Sequence, residues 1–342
     1  DIFRIQDEIS ASIMESLKVH LLGAEEKAIV SERAQNMDAY SAYLIGRERL
    51  ALLTEEDARV ARKKFEEAIS IDPAYAPAYT SLARALLWEE IYTMGEPGPE
   101  EKAETDRAVE EALARSLELS PNQPEAIAVR GLHHYHRFRY EAAARDFDRA
   151  IELNPNYALA YLWRSSTFYE QHRYLDMLAD EEKAYSLDPM SLEISDQLAY
   201  DYSAFWRPRD ADRIIARMFE LHPNHKRAYF ALIRNLSSHG RYAESALALE
   251  EALEYFPDDK VFQSWYAWDL ANIGLFDRAE AQGNDIVSFW VYLNDGRYEK
   301  ARELADKNAA NTEIPHWFRF EPKRAYAWAC LLYTSDAADE VS

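Results

Sequence analysis

The sequence predicts an all-α fold: a right-handed superhelical solenoid of about seven helix hairpins, some of them irregular. Three observations carry the prediction. Prolines stand at Pro121, Pro155, Pro189, Pro223 and Pro257, and every gap is 34 residues. Other positions keep the same beat: Ala68, Ala150, Ala184 and Ala252 lie five residues before a proline, Phe65 and Phe147 eight before, and Tyr79, Tyr161 and Tyr229 six after. The chain of 342 residues has only 9 glycines but abundant Ala, Glu, Leu and Arg, a helix-forming composition that argues against a strand-and-turn protein.

Each element of the period has a physical reason. Proline lacks an N–H and drives its predecessor out of the α region, so a helix ends there. Asn122, Asn156, Asn224 and Asp258 follow these prolines and are read as caps of the next helix. Between prolines, apolar residues recur at three- and four-residue steps on two helical stretches. A turn divides them: "FRYEAA" at 138–143, "HRYLDM" at 172–177, "GRYAES" at 240–245 and "GRYEKA" at 296–301. The aromatic of that turn is expected to fill space between the paired helices, and the alanines to mark their closest approach. One hairpin cannot bury its apolar face alone, whereas stacked hairpins can.

In chain order the units are 39–75, 76–123, 124–157, 158–191, 192–225, 226–259 and an irregular 260–310. The first has a longer turn, "LLTEEDAR". The second holds a surplus of 14 residues around "YTMGEPGPEEKAE", since Pro73 and Pro121 are 48 apart. In the last, Gly296 follows Gly274 by 22 residues instead of 34, which predicts a shortened second helix. Residues 311–329 read as the start of a further, truncated unit.

These residues resemble the tetratricopeptide repeat. "PEAIAVRGLHHYHRFRYEAAARDFDRAIELNPNY", 124–157, fits through Gly131, Ala143, Phe147, Ala150 and Pro155, and departs at Arg130, where the family prefers Leu. The resemblance covers roughly 39–310, and it implies a fold rather than a function.

The two ends differ from the repeats. "DIFRIQDEISASIMESLKVHL" places Ile2, Ile5, Ile9, Ile13, Leu17 and Leu21 at near four-residue spacing, an amphipathic helix over 1–22 followed by a linker, 23–38. With "MDAYSAYLIGRERL" and "FEEAISIDPAYAPAY", this segment is similar to a bacterial arrangement of domains. There a class III adenylate/guanylate cyclase or a winged-helix domain precedes a small TolB-like α/β domain, and an "IQDEI"-like helix leads into tetratricopeptide repeats. The chain begins with Asp, not Met, and on this resemblance would start just inside that joint. "CLLYTSDAAD", 330–339, breaks the pattern and is similar to the translation of a transposase sequencing adapter. Residues 330–342 are therefore expected to be non-native, and Cys330 says nothing of redox compartment.

Charge and motifs exclude several functions. With 61 acidic against 39 basic residues the net charge is −22, which disfavours nucleic acid as a partner. No apolar run reaches the ~18 residues of a membrane span. Phosphate loops, H-E-x-x-H, C-x-x-C and calcium-loop patterns are absent, so no cofactor and no catalytic residue are assigned. His133 and His136 in "LHHYHRF" are the best metal candidates, but two histidines lack a third ligand and are read as surface or groove lining. "EEKAETDRAVEEALARSLE" reads as a charge-laced, solvated helix.

What remains is a groove. The first helix of each stacked hairpin lines the concave side, and the inward positions include Arg84, Trp88, Tyr135, Tyr169, Tyr200, Arg227, Phe230, Arg234 and Trp268. Aromatic rings give contact area at small entropy cost, and arginines can meet a carboxylate, so the expected partner is a protein or peptide. The Lys/Asn pattern with which family members clamp chaperone carboxyl termini is missing: the fifth positions hold Thr80, Ala128, Leu162, Asp196, Phe230 and Ser264. The expected role is a non-catalytic interaction or sensory region of a bacterial signalling protein. Alternatives are the regulatory part of a cyclase whose catalytic domain lies upstream, and an assembly scaffold. The expected compartment is the cytoplasm, or the periplasm if the parent has an upstream membrane span; oligomeric state is left open.

Overall fold

A computed structural model describes residues 36–92 and 98–282, together with 288, 292, 295–297, 299–301 and 303–304. The expected helix at 1–22, residues 23–35 of the linker, most of the "YTMGEP" stretch, the further unit at 311–329 and the tail at 330–342 lie outside the described residues. Fourteen helices and no strands occur among the described residues. They form consecutive hairpins: α1 (Met37–Ala51) with α2 (Glu55–Ile71), α3 (Ala76–Tyr92) with α4 (Pro99–Leu119), α5 (Pro124–His136) with α6 (Tyr140–Leu153), and α7 (Ala158–Glu170) with α8 (Tyr174–Leu187). Then come α9 (Leu192–Ala204) with α10 (Pro208–Leu221), α11 (Lys226–Ser238) with α12 (Tyr242–Tyr255), and α13 (Lys260–Asn272) with the short α14 (Phe276–Glu280). The chain divides into an amino-terminal unit ending at Trp163 and a carboxy-terminal unit beginning at Arg164.

The joints follow proline chemistry. α2, α4, α6, α8, α10 and α12 end on Asp72, Ser120, Asn154, Asp188, His222 and Phe256, each immediately before a proline. Asp72, Asn154 and Asp188 also accept a hydrogen bond from the backbone N–H two residues on, at 3.1, 3.0 and 3.2 Å, closing an Asx turn across the proline. This corrects the expected caps. The residues after proline occupy the turn itself, Asn224 at φ +59°, and the caps lie one position later. Asp259 accepts from the N–H groups of Val261 and Phe262, both at 3.0 Å, and His225 accepts from that of Arg227 at 3.1 Å.

Within hairpins the turn is a Schellman motif. Leftward-twisted residues Phe138, His172, Trp206, Gly240 and Gly274 recur every 34 residues with φ of 59, 59, 57, 71 and 81°. The next N–H in each case, from Arg139, Arg173, Arg207, Arg241 or Leu275, bonds the carbonyl five residues back at 2.7–2.9 Å. The turn tyrosine is the first residue of the second helix, so it covers the hairpin tip instead of filling the interhelical core. Tyr140 packs tilted against Tyr135 at 5.5 Å, and Tyr174, 39% exposed, lies 5.8 Å from Tyr169.

The core is built from the period. Ala68, Ala150, Ala184 and Ala252 are fully buried, as are Phe65 and Phe147. Gly46 and Gly131 let those two rings in: a Cβ on Gly46 would stand 2.6 Å from Phe65, and one on Gly131 2.7 Å from Phe147.

Candidate functional site

The nine groove candidates fall in two units. In the amino-terminal unit, the Arg84 guanidinium lies 5.5 Å from the Trp163 ring. Trp88 packs against the first-hairpin core around Phe65 and Tyr75, and Tyr135 sits among His136 and Tyr140. These three are engaged in packing within the unit.

The carboxy-terminal unit gathers four candidates into one constellation. Arg227 and Arg234 are seven residues apart on α11, so both leave the same face. Both reach Asp196 on α9: Arg234 Nη2 donates to Oδ1 at 2.9 Å, and Arg227 Nη1 donates to Oδ2. Arg234 also lies 4.6 Å from the Tyr200 ring, a cation–π contact. Phe230, between the two arginines, meets Phe262 at 4.6 Å and Trp265 at 5.2 Å. The arginines expected to await a partner's carboxylate thus already hold an internal one. Asp196 stood among the fifth positions and Trp265 was not singled out, because neither signals a role until α9, α11 and α13 are side by side.

Electrostatics mark this place. Burial pushes the Asp196 carboxyl up while Arg234 opposes the shift. Burial, then Arg234, lowers Arg227 to about 10. Arg227 and Arg234 thus converge on one carboxylate. Tyr169 and Tyr200 are 53% and 44% exposed, and Trp268 is 37% exposed.

A second polar cluster lies in the same unit. Glu181 of α8 accepts from Ser165 at 3.0 Å and feels the charge of Asp201 of α9, which accepts from Gln197 at 2.7 Å. Burial, then the Asp201 charge, holds Glu181 far above the usual carboxylate range; burial also raises Asp201.

Of the histidine pair in the amino-terminal unit, His133 is buried and His136 half-buried. His133 approaches Glu110 at 3.5 Å and Asp106 at 3.7 Å. Desolvation lowers it, and lowers His136 to about 4, so both rings are neutral at pH 7. No three His, Cys, Asp or Glu side chains among the described residues are arranged to hold a metal ion.

Comparison with known proteins agrees with this architecture. The tetratricopeptide repeat family profile matches residues 124–157. A Rhizobium meliloti (strain 1021) protein provisionally named adenylate cyclase 3 is 26% identical over 113 residues, 33% of this chain and 19% of that relative's length. A tetratricopeptide repeat protein from Parabacteroides merdae ATCC 43184 superposes with a TM-score of 0.50 at 15% identity, covering 67% of this chain and 93% of that one. The Cut9–Hcn1 hetero-tetramer of APC/C gives a TM-score of 0.58 at 11% identity, over 81% of this chain and 53% of that one. Residues 124–157 match the tetratricopeptide repeat, and the fold of the described residues is the helix-hairpin solenoid of tetratricopeptide-repeat structures.

Proposed function

We propose that this chain is a non-catalytic interaction region of a bacterial signalling protein, and that its carboxy-terminal unit captures a protein or peptide segment. Tetratricopeptide arrays are interaction scaffolds, and no helix among the described residues is long and apolar enough to cross a membrane. The observation that carries the reading is the Asp196–Arg227–Arg234 triad beside the exposed Tyr200. A partner carboxylate placed there exchanges one charge-assisted hydrogen bond for another while the aromatic faces supply contact area. Peptides selected from a display library on the whole chain should lose about tenfold in affinity on Tyr200→Ala, equal to ~1.4 kcal/mol, with helicity retained. Selected peptides indifferent to Tyr200→Ala and Tyr169→Ala would remove this surface from consideration.

A second reading rests on the cyclase-named relative: the repeats regulate a nucleotide cyclase domain encoded upstream of Asp1. Residues 1–329 alone should then show no cyclase turnover, and turnover from that fragment would refute the non-catalytic assignment.

A further inference from the structure

The second hairpin is larger than its neighbours. α3 has 17 residues and α4 has 21, against 13 and 14 in α5 and α6. Aligned on their prolines, the surplus comprises 89–92 at the end of α3 and 99–105 at the start of α4. It helps to form a cavity of about 600 Å³ between α2, α3 and α4, within the amino-terminal unit. Tyr79, Leu82, Leu86, Ala108 and Ala112 give it an apolar floor. Its lining also carries six glutamates, Glu66, Glu89, Glu90, Glu101, Glu104 and Glu111, against one arginine, Arg62. Four of the six, Glu89, Glu90, Glu101 and Glu104, belong to the surplus.

Some of that charge is used internally. Glu89 lies 3.3 Å from Arg62 and 3.8 Å from Arg59, and Glu90 accepts from Arg137 at 2.8 Å. Glu101, Glu104 and Glu111 are exposed and make no ion pair with the described residues. They share the face of α4 that carries Ala108, at offsets of three and seven residues. The helical rise puts Glu104 about 4.5 Å beyond Glu101 and Glu111 about 10 Å further along. An apolar floor under three aligned carboxylates suits apolar stems ending in cations, and the cavity is of the size that takes several side chains.

We propose that this cavity is a docking site for a basic amphipathic peptide segment, with an apolar anchor on Leu82 and Leu86 and lysine or arginine groups about seven residues apart on Glu101/Glu104 and Glu111. The site is separate from the Tyr200 surface and does not depend on it.

The test is fluorescence anisotropy of the full chain with a labelled helical peptide of about fifteen residues, carrying two lysines seven apart around a leucine. Its Glu-for-Lys counterpart is the control. The lysine peptide should bind and the glutamate peptide should not. Combined Glu101→Gln, Glu104→Gln and Glu111→Gln, all at exposed positions, should weaken binding about tenfold and flatten its salt dependence. Ala108→Trp, which fills the cavity and leaves every charge in place, should abolish it, with circular dichroism confirming helicity. Tyr200→Ala should leave it unchanged. Equal binding of both peptides, native affinity in the glutamine variant or in Ala108→Trp, or displacement of the peptide by an equal concentration of spermine, would each overturn the proposal.

Discussion

Eight residues before the joining proline, the amino-terminal unit buries Phe65 and Phe147, each seated on a glycine of the facing helix. One period after Phe147, the carboxy-terminal unit buries Glu181 instead, and the place of Gly131 is taken by Ser165. The backbone hardly registers the exchange, because α7–α8 repeats the turn and joint of α5–α6. What changes is the chemistry of the core. One unit closes on a ring in a glycine notch; the other closes on a buried carboxyl that accepts from Ser165 and feels the charge of Asp201 on the next helix. A repeat position is therefore a geometric slot, and its occupant decides whether stability depends on volume or on protonation.

The largest expected effect is Phe147→Ala. It empties the ring's slot and should cost about 3–5 kcal/mol in denaturant unfolding, spread over the amino-terminal unit. A loss under about 1 kcal/mol would mean that the slot collapses freely and that the ring is not its main support.

The next contrast is pH. His136 is held at about 4 by burial, below its ordinary 6.5, so the unfolded chain takes up the proton first. Stability from this group is present above pH 6.5 and is lost as pH falls through 6.5 towards 4. Glu181 is raised by burial, and Asp269 is raised to about 6 from 3.8 by the same cause. Stability from these acids is present in the acid range and is lost as pH climbs past their ordinary values through the raised ones. Hydrogen exchange, corrected for intrinsic rate, should show the amino-terminal unit better protected at pH 8 than at pH 5, and the carboxy-terminal unit the reverse. Glu181→Gln should remove much of the carboxy-terminal difference. A uniform pH response along the chain would contradict this account.

Gly131→Ala comes third. Its methyl group would stand 2.7 Å from the buried Phe147 ring, and the strain should cost about 1–3 kcal/mol by thermal melting. The alanine that replaces this glycine in α9, Ala199, is already accommodated and buried, so Ala199→Gly should cost the helix propensity difference of about 1 kcal/mol plus the loss of a buried methyl, about 1 kcal/mol more.

The smallest effect lies at the hairpin tips. Phe138 occupies a left-handed conformation at φ +59° and is 74% exposed, whereas Gly240 fills the same slot at φ +71°. Phe138→Gly should gain, and Gly240→Phe lose, about 1 kcal/mol in matched melts. Equal stability in both would show that the turn tolerates the bulky residue without strain.

The joints were legible because their causes are local. Proline stops a helix at each joint, and at three of them, Asp72, Asn154 and Asp188, the residue before it supplies the Asx oxygen. Short-range rules of this kind placed the hairpins from sequence, whereas Gly131 entered only as a fit to the repeat and its role as the notch under Phe147 came from the structure. The caps were misplaced by one residue because Asn after proline is equally suited to the turn and to the cap, and only the left-handed φ of Asn224 separates them. The turn tyrosines were misread for a related reason: one residue of offset moves a ring from the interior of a hairpin to its tip.

The sites depended on distances that no local rule reaches. Arg227 and Arg234 looked like waiting cations until Asp196, 31 and 38 residues earlier, filled the space between them. The charge-laced start of α4 looked like a solvated helix until Leu82 and Leu86 stood opposite it. By itself the sequence determined a repeating all-α chain and where its helices turn, because proline, glycine and apolar spacing act within a few residues. Tertiary structure alone decided which charges are spent inside and which are offered outward, because a charge takes its meaning from the groups packed around it, and those come from other helices.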